Sequence, residues 1–222
     1  MIRLVTSTDE RFLLALPGGV VDGQPVTLMK DDLIDASGYL VELPYLETGR
    51  QFLERVDKLD LLADVPALVE ASDKRMATCL MVESLKVGET QQANEVLIEA
   101  IVSRAWEKGN QRFARLAIYD IHTAIEGEGR KGRPRRIAHY VSVHFPNGQV
   151  GGRPVALSKK DHVRVIGRLS EQRYSESFGY FLMRAGAIRL LAEAPNADEI
   201  REIRVSRVAT YVVAESMLQF TK

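Results

Sequence analysis

Apolar and polar positions change their rhythm near the middle of the chain. Between residues 48 and 66, Phe52, Leu53, Val56, Leu59 and Leu62 recur at helical spacing, with Thr48 placed to cap the start and Pro66 to punctuate the end. One or two helices are expected there. Ahead of them, "MIRLVTSTDERFLLALPGGVVDGQPVTLMK" breaks short apolar runs with Gly and Pro, the texture of strands joined by tight turns. After "ESLKVGETQQAN" the pattern becomes β-rich, with strands expected over 95–104, 112–122, 137–145, 162–174 and 179–191. Five strands within about a hundred residues suit a small closed barrel.

The turns between these strands carry their own signals. "EGEGRKGRPRR" (126–136) has no apolar residue and reads as a hairpin arm, and "GGRPVALSKKD" (151–161) as a short helical or turn crossover. In "IAHYVSVHF", one face carries Ile137, His139, Val141, Val143 and Phe145, and the other Ala138, Tyr140, Ser142 and His144. By alternation the first set is buried and Tyr140, Ser142 and His144 are displayed. No internal repeat is visible in the sequence. The fold expected is mostly β with some helix: an acidic α+β domain over 1–90, a five-stranded barrel over 91–191, and an extension over 192–222 that packs on the body.

Charge adds a direction to this outline. The 222 residues balance 30 Lys+Arg against 30 Asp+Glu, yet residues 1–90 hold 9 basic and 16 acidic side chains and residues 91–190 hold 17 and 9. A basic half of this kind suits a polyanionic partner. No apolar run is long enough to span a bilayer and none forms a leader at the N-terminus, so no membrane association and a cytoplasmic location are expected. The single cysteine, Cys79, lies in an apolar run and reads as a buried thiol. Neither a metal nor a cofactor is called for: His122, His139, His144 and His162 lack metal-ligand spacing, and neither a phosphate-binding glycine loop nor a nucleophile elbow is present. An enzyme is not expected.

Four pieces then fall in a familiar order: "NEVLIEAIVSRA", "FARLAIYD", "HYVSVHF" and "SKKDHVRVIGRLSEQRY". Residues 93–191 resemble the OB-fold of the bacterial single-stranded DNA-binding protein family, the last piece most specifically, with its turn, strand, glycine and aromatic. The resemblance implies base stacking on aromatic side chains and phosphate neutralisation by basic ones. It places His122, His139, Phe145 and Tyr174 at the stacking positions, none of them the family's tryptophan; alternation adds Tyr140. Arg130, Lys131, Arg133, Arg135 and Arg136 would follow the backbone from the arm, Lys159 and Lys160 from the turn, and Arg168 and Arg173 from the Gly167 strand, where Val165, Ile166 and Leu169 supply core.

The implied partner is single-stranded DNA, with RNA open to the same chemistry, and the implied assembly a homo-oligomer. The family's acidic tail tip is absent from "AESMLQFTK", which leaves the acidic first domain as an oligomerisation surface, a module for a replication or repair partner, or a lid competing for the basic face. The alternative function is a protein-interaction adaptor of the primosome kind built on the same barrel.

Overall fold

The computed structural model describes residues 2–4, 12–21, 23–29, 32, 34–62, 66–88, 94–125, 135–194 and 196–220. The first half of the chain forms β1 (Ile2–Leu4), β2 (Leu13–Ala15), β3 (Val20–Val21), β4 (Gln24–Pro25), β5 (Ile34–Thr48), α1 (Gly49–Glu54), α2 (Pro66–Glu70) and β6 (Ser72–Val87). The second forms β7 (Asn94–Lys108), β8 (Gln111–Ile125), β9 (Arg135–Phe145), β10 (Gln149–Val150), β11 (Arg153–Pro154), β12 (His162–Ser177), α3 (Phe178–Arg184), α4 (Ala197–Glu202) and β13 (Arg204–Phe220). Two compact units result: Met1–Glu42 with Thr78–Glu171 and Thr210–Lys222, and Leu43–Ala77 with Gln172–Ala209. Both units therefore draw on both halves of the chain, whereas the sequence pattern suggested a division near residue 90.

The first unit contains the expected barrel. Its strands run β7-β8-β9-β13-β12, and β12 pairs again with β7 to close the ring. β9 and β13 are parallel, Val143 opposite Val212, while β7 meets β8 and β12 antiparallel. Alternating side chains fill the interior, among them Ile98, Leu116, Val143, Phe145, Val165 and Val212. Burying each such side chain stabilises the fold by roughly 1.5–3 kcal/mol. On β7 the pairing with β8 skips Ser103, so that Val102 and then Ala105 face inward and Arg104 and Trp106 outward.

Two strand assignments need correction. Residues 179–191 form α3 and a 3-10 turn, because Ser177 accepts a hydrogen bond from Tyr180 N at 3.2 Å and Phe178, Phe181 and Leu182 bury one helical stripe. The fifth barrel strand is β13, taken from the segment read as an extension. Within β12, Val165 and Leu169 are buried as expected, but Ile166 is 45% exposed. Gly167 serves close approach: a Cβ there would stand 2.0 Å from Val213 O.

The chain also repeats itself, a feature the sequence pattern had hidden. Residues 17–34, "PGGVVDGQPVTLMKDDLI", correspond to 146–163, "PNGQVGGRPVALSKKDHV", and 75–84, "RMATCLMVES", to 207–216, "RVATYVVAES". Equivalent turns are held by equivalent bonds. Asp32 accepts from Met29 N at 2.8 Å as Asp161 does from Ser158 N at 2.7 Å, and Val26 N reaches Gly19 O as Val155 N reaches Gly148 O. The β5–α1–α2–β6 succession recurs as β12–α3–α4–β13, with a 3-10 turn between the helices each time. Gly38, the counterpart of Gly167, presses on Met81 O in the same way.

The second unit is built from the two copies of that succession. Thr48 caps α1 in a capping box with Gln51, in the place the spacing indicated. Phe52 packs 5.1 Å from Phe178 and 5.2 Å from its counterpart Phe181. Beside them lies a buried ionic square. Arg75 donates to Glu176 at 2.5 Å and lies 2.6 Å from Glu47, and Arg207 bonds both Glu47 and Glu176 at 2.8 Å. Burial works to lower the Arg75 pKa, but the Glu176 hydrogen bond and the Glu47 and Glu176 charges outweigh it and hold the guanidinium charge more firmly than usual. Arg55 and its counterpart Arg184 reach in from the rim, to Glu47 at 3.2 Å and Glu176 at 3.1 Å. Buried charges persist only where each is paired in this manner.

Candidate nucleic-acid interface

The outer wall of the barrel follows from alternation on each strand. With Ala105, Ala114, Val143 and Val212 turned inward, Trp106 on β7, Phe113 on β8, His144 on β9 and Tyr211 on β13 turn outward. Register sets them side by side, Trp106 opposite Phe113 and Phe113 opposite His144. The Trp106 and Phe113 rings stack at 5.5 Å and 12°, Phe113 and His144 at 4.7 Å and 14°, and His144 meets Tyr211 edge-on at 5.6 Å. All four rings are half-buried, and the two faces of Phe113 are covered by Trp106 and His144.

Polar groups fix the orientation of this row. His144 Nε2 lies 2.7 Å from Gln111 Oε1, which also accepts from Asn147 N at 3.1 Å, so Nε2 carries the proton. Burial lowers the His144 pKa and keeps the ring neutral. Arg104 lies over the Trp106 ring at 5.7 Å, and Arg115 over the Tyr140 ring at 5.2 Å. Glu42 binds Arg115 Nη2 through both carboxylate oxygens, at 2.7 and 2.8 Å. Flat rings interleaved with guanidinium groups form a surface able to stack bases and meet phosphates.

The residues picked from the sequence fall on several elements. Tyr140 and His139 are half-buried on β9, Tyr140 on this outer wall, as alternation indicated. Phe145 is a correction: it is 0% exposed, because it shares the inward face of Val141 and Val143, and its ring is closed to a base. Lys159 and Lys160 are exposed in the turn before β12, which is tied to β7 by Lys160 N to Val102 O and Val102 N to Asp161 O, both 2.8 Å. Arg168 is exposed in the first unit, 3.8 Å from Glu215. Arg173 and Tyr174 are exposed and belong to the second unit. Arg130, Lys131 and Arg133 lie outside the described residues; His122, Arg135 and Arg136 lie on β8 and β9 with their side chains outside the description.

Sequence reasoning missed Trp106, Phe113 and Tyr211, although the His144 face had been read from periodicity. The signal for Trp106 was masked, since strict alternation gives it the parity of buried Val96, Ile98 and Val102.

No family model and no curated protein matches the chain. Among solved structures, it is similar to a deletion mutant of the single-stranded DNA-binding protein from Thermus aquaticus, at 14% identity and a TM-score of 0.42, covering 88% of this chain and 63% of that one. The protein thus spans less than two thirds of that chain.

Proposed function

We propose that the protein binds single-stranded nucleic acid, DNA first, on the outer wall of its barrel and without catalysis. The observation that carries this reading is the row Trp106–Phe113–His144–Tyr211 across four neighbouring strands. Stacking on such rings contributes about 1–3 kcal/mol per base and tolerates any sequence. Arg104 and Arg115 flank the rings, and exposed Lys159, Lys160 and Arg168 extend the cationic surface of the same unit. The basic residues of 126–136, which run into the start of β9, add charge to the sequence that follows β8.

Trp106 is the chain's one tryptophan and stands in the row, so its emission reports on binding directly. Titration with a dT oligonucleotide at low salt is expected to quench it, with log affinity falling linearly against log salt. Unchanged emission together with no complex in a gel or anisotropy assay would end this reading. It would favour the adaptor, for which the second unit offers exposed Tyr45, Leu46, Tyr180 and Met183. An rU oligonucleotide in the same titration ranks RNA against DNA. Light scattering with and without oligonucleotide tests the homo-oligomer that the family resemblance suggests.

A further inference from the structure

Within the wall, the charge of Arg115 is already answered from below, by a nearly buried carboxylate. Glu42, from β5 in the acidic first half, places both oxygens on Arg115 Nη2. The Glu42 side chain is 9% exposed and that of Arg115 39%, so the acid lies beneath a guanidinium that still opens outward. The same guanidinium lies over the Tyr140 ring at 5.2 Å. We infer that Glu42 is a built-in substitute for phosphate, holding Arg115 against Tyr140 while the wall is empty and opposing the approach of a nucleic-acid backbone.

This inference rests on the proposed binding wall and concerns its regulation. A carboxylate and a phosphate offer a guanidinium the same chemistry, anionic oxygens that accept charge-assisted hydrogen bonds. The two therefore compete for one cation. Arg115 from β8 and the Tyr140 backbone N–H from β9 bond Glu42, and His139 adds a favourable charge contribution. Burial nevertheless raises the Glu42 pKa, outweighing these favourable partners. Its charge is thus less well solvated than in water, and release toward solvent recovers hydration. The pair is a hold that a competing anion can open, and the acid left nearby repels the strand that opened it.

The test compares the full-length protein with Glu42→Gln, which removes the charge and keeps the shape, on a dT oligonucleotide across a salt series. The variant is expected to bind about 5- to 20-fold more tightly at low salt, with a log–log salt slope steeper by about 0.7, the value of one additional neutralised phosphate on a single strand. Adding Arg115→Ala to Glu42→Gln is expected to erase the gain, which assigns it to this cation. Should Glu42→Gln fail to fold, Glu42→Ala is read in the same way. Tight binding by the parent with equal affinity and slope in the variant overturns the inference alone, as does a weaker variant, which would make Glu42 a positioning residue. Absence of binding by both proteins overturns the proposed function, and this inference with it.

Discussion

Arg207 donates from Nη1 and Nη2 to the two oxygens of Glu47, at 2.8 and 2.9 Å, across 160 positions of sequence. Both side chains are almost wholly buried, at 5% and 1% exposure, and Arg207 also stacks over Phe52 at 4.9 Å. Glu47→Gln leaves the buried Arg75 and Arg207 to share Glu176, with one carboxylate charge of the square gone. Breaking such a pair costs about 3–5 kcal/mol. Thermal unfolding of Glu47→Gln is expected to begin well below that of the parent, and an unchanged midpoint would show that the square carries no net stability.

Gly38 and Gly167 are expected to be equally intolerant of alanine. A Cβ would stand 1.9 Å from Met81 O in one case and 2.0 Å from Val213 O in the other, and backbone cannot swing aside as a side chain can. Either alanine forces two strands apart, at a cost of about 1–3 kcal/mol or more. Urea unfolding midpoints measure this. A neutral result at Gly167 would mean that β12 and β13 part without cost.

Phe113→Ala removes the ring between Trp106 and His144. Both faces of Phe113 are covered by Trp106 and His144, so its loss acts by releasing the Trp106 ring from its stacked orientation, and dT binding is expected to weaken by at most the value of one stacked base, about 1–3 kcal/mol. The same variant shifts Trp106 emission in the free protein, since their rings stack at 5.5 Å. Full affinity in a folded Phe113→Ala protein would move the site away from this row.

His144 predicts a pH response. Burial sets its pKa below the ordinary 6.5 in the folded protein. As pH falls below that value, the unfolded chain takes up a proton that the folded ring still refuses, so protons favour unfolding. Stability is therefore expected to be at its full value above the unfolded pKa, to decline as pH drops through the window between the two pKa values, and to level off beneath it. His144→Gln should flatten this stretch of the stability profile relative to the parent, as read by urea unfolding at successive pH values.

What the sequence disclosed, and what it withheld, has a physical pattern. Strong periodicity located the first four barrel strands, and the Thr48 cap announced α1. The run "GYFLMRAGAIRLL" misled because its apolar density suits a buried strand or a buried helix, and only the packing of Phe178, Phe181 and Leu182 decides between them. The repeat escaped notice because its two copies are joined to different surroundings: the second follows a long hairpin of β7 and β8, while β2 in the first follows β1. The stacking row was hidden by one unpaired position, Ser103, which reverses the facing of Trp106. Phe145 follows alternation, which puts it inside, and not the stacking position that the family resemblance implies.

The ionic square also imposes an order of events. A ribosome delivers Glu47 and Arg75 well before Arg207, so the first two wait for their partner while the intervening chain is made. Contacts this distant in sequence form slowly, since a long stretch of chain must be confined before they gain anything. The helical unit is accordingly completed only once Arg207 has joined Glu47 and Arg75, and its completion certifies that both copies are intact.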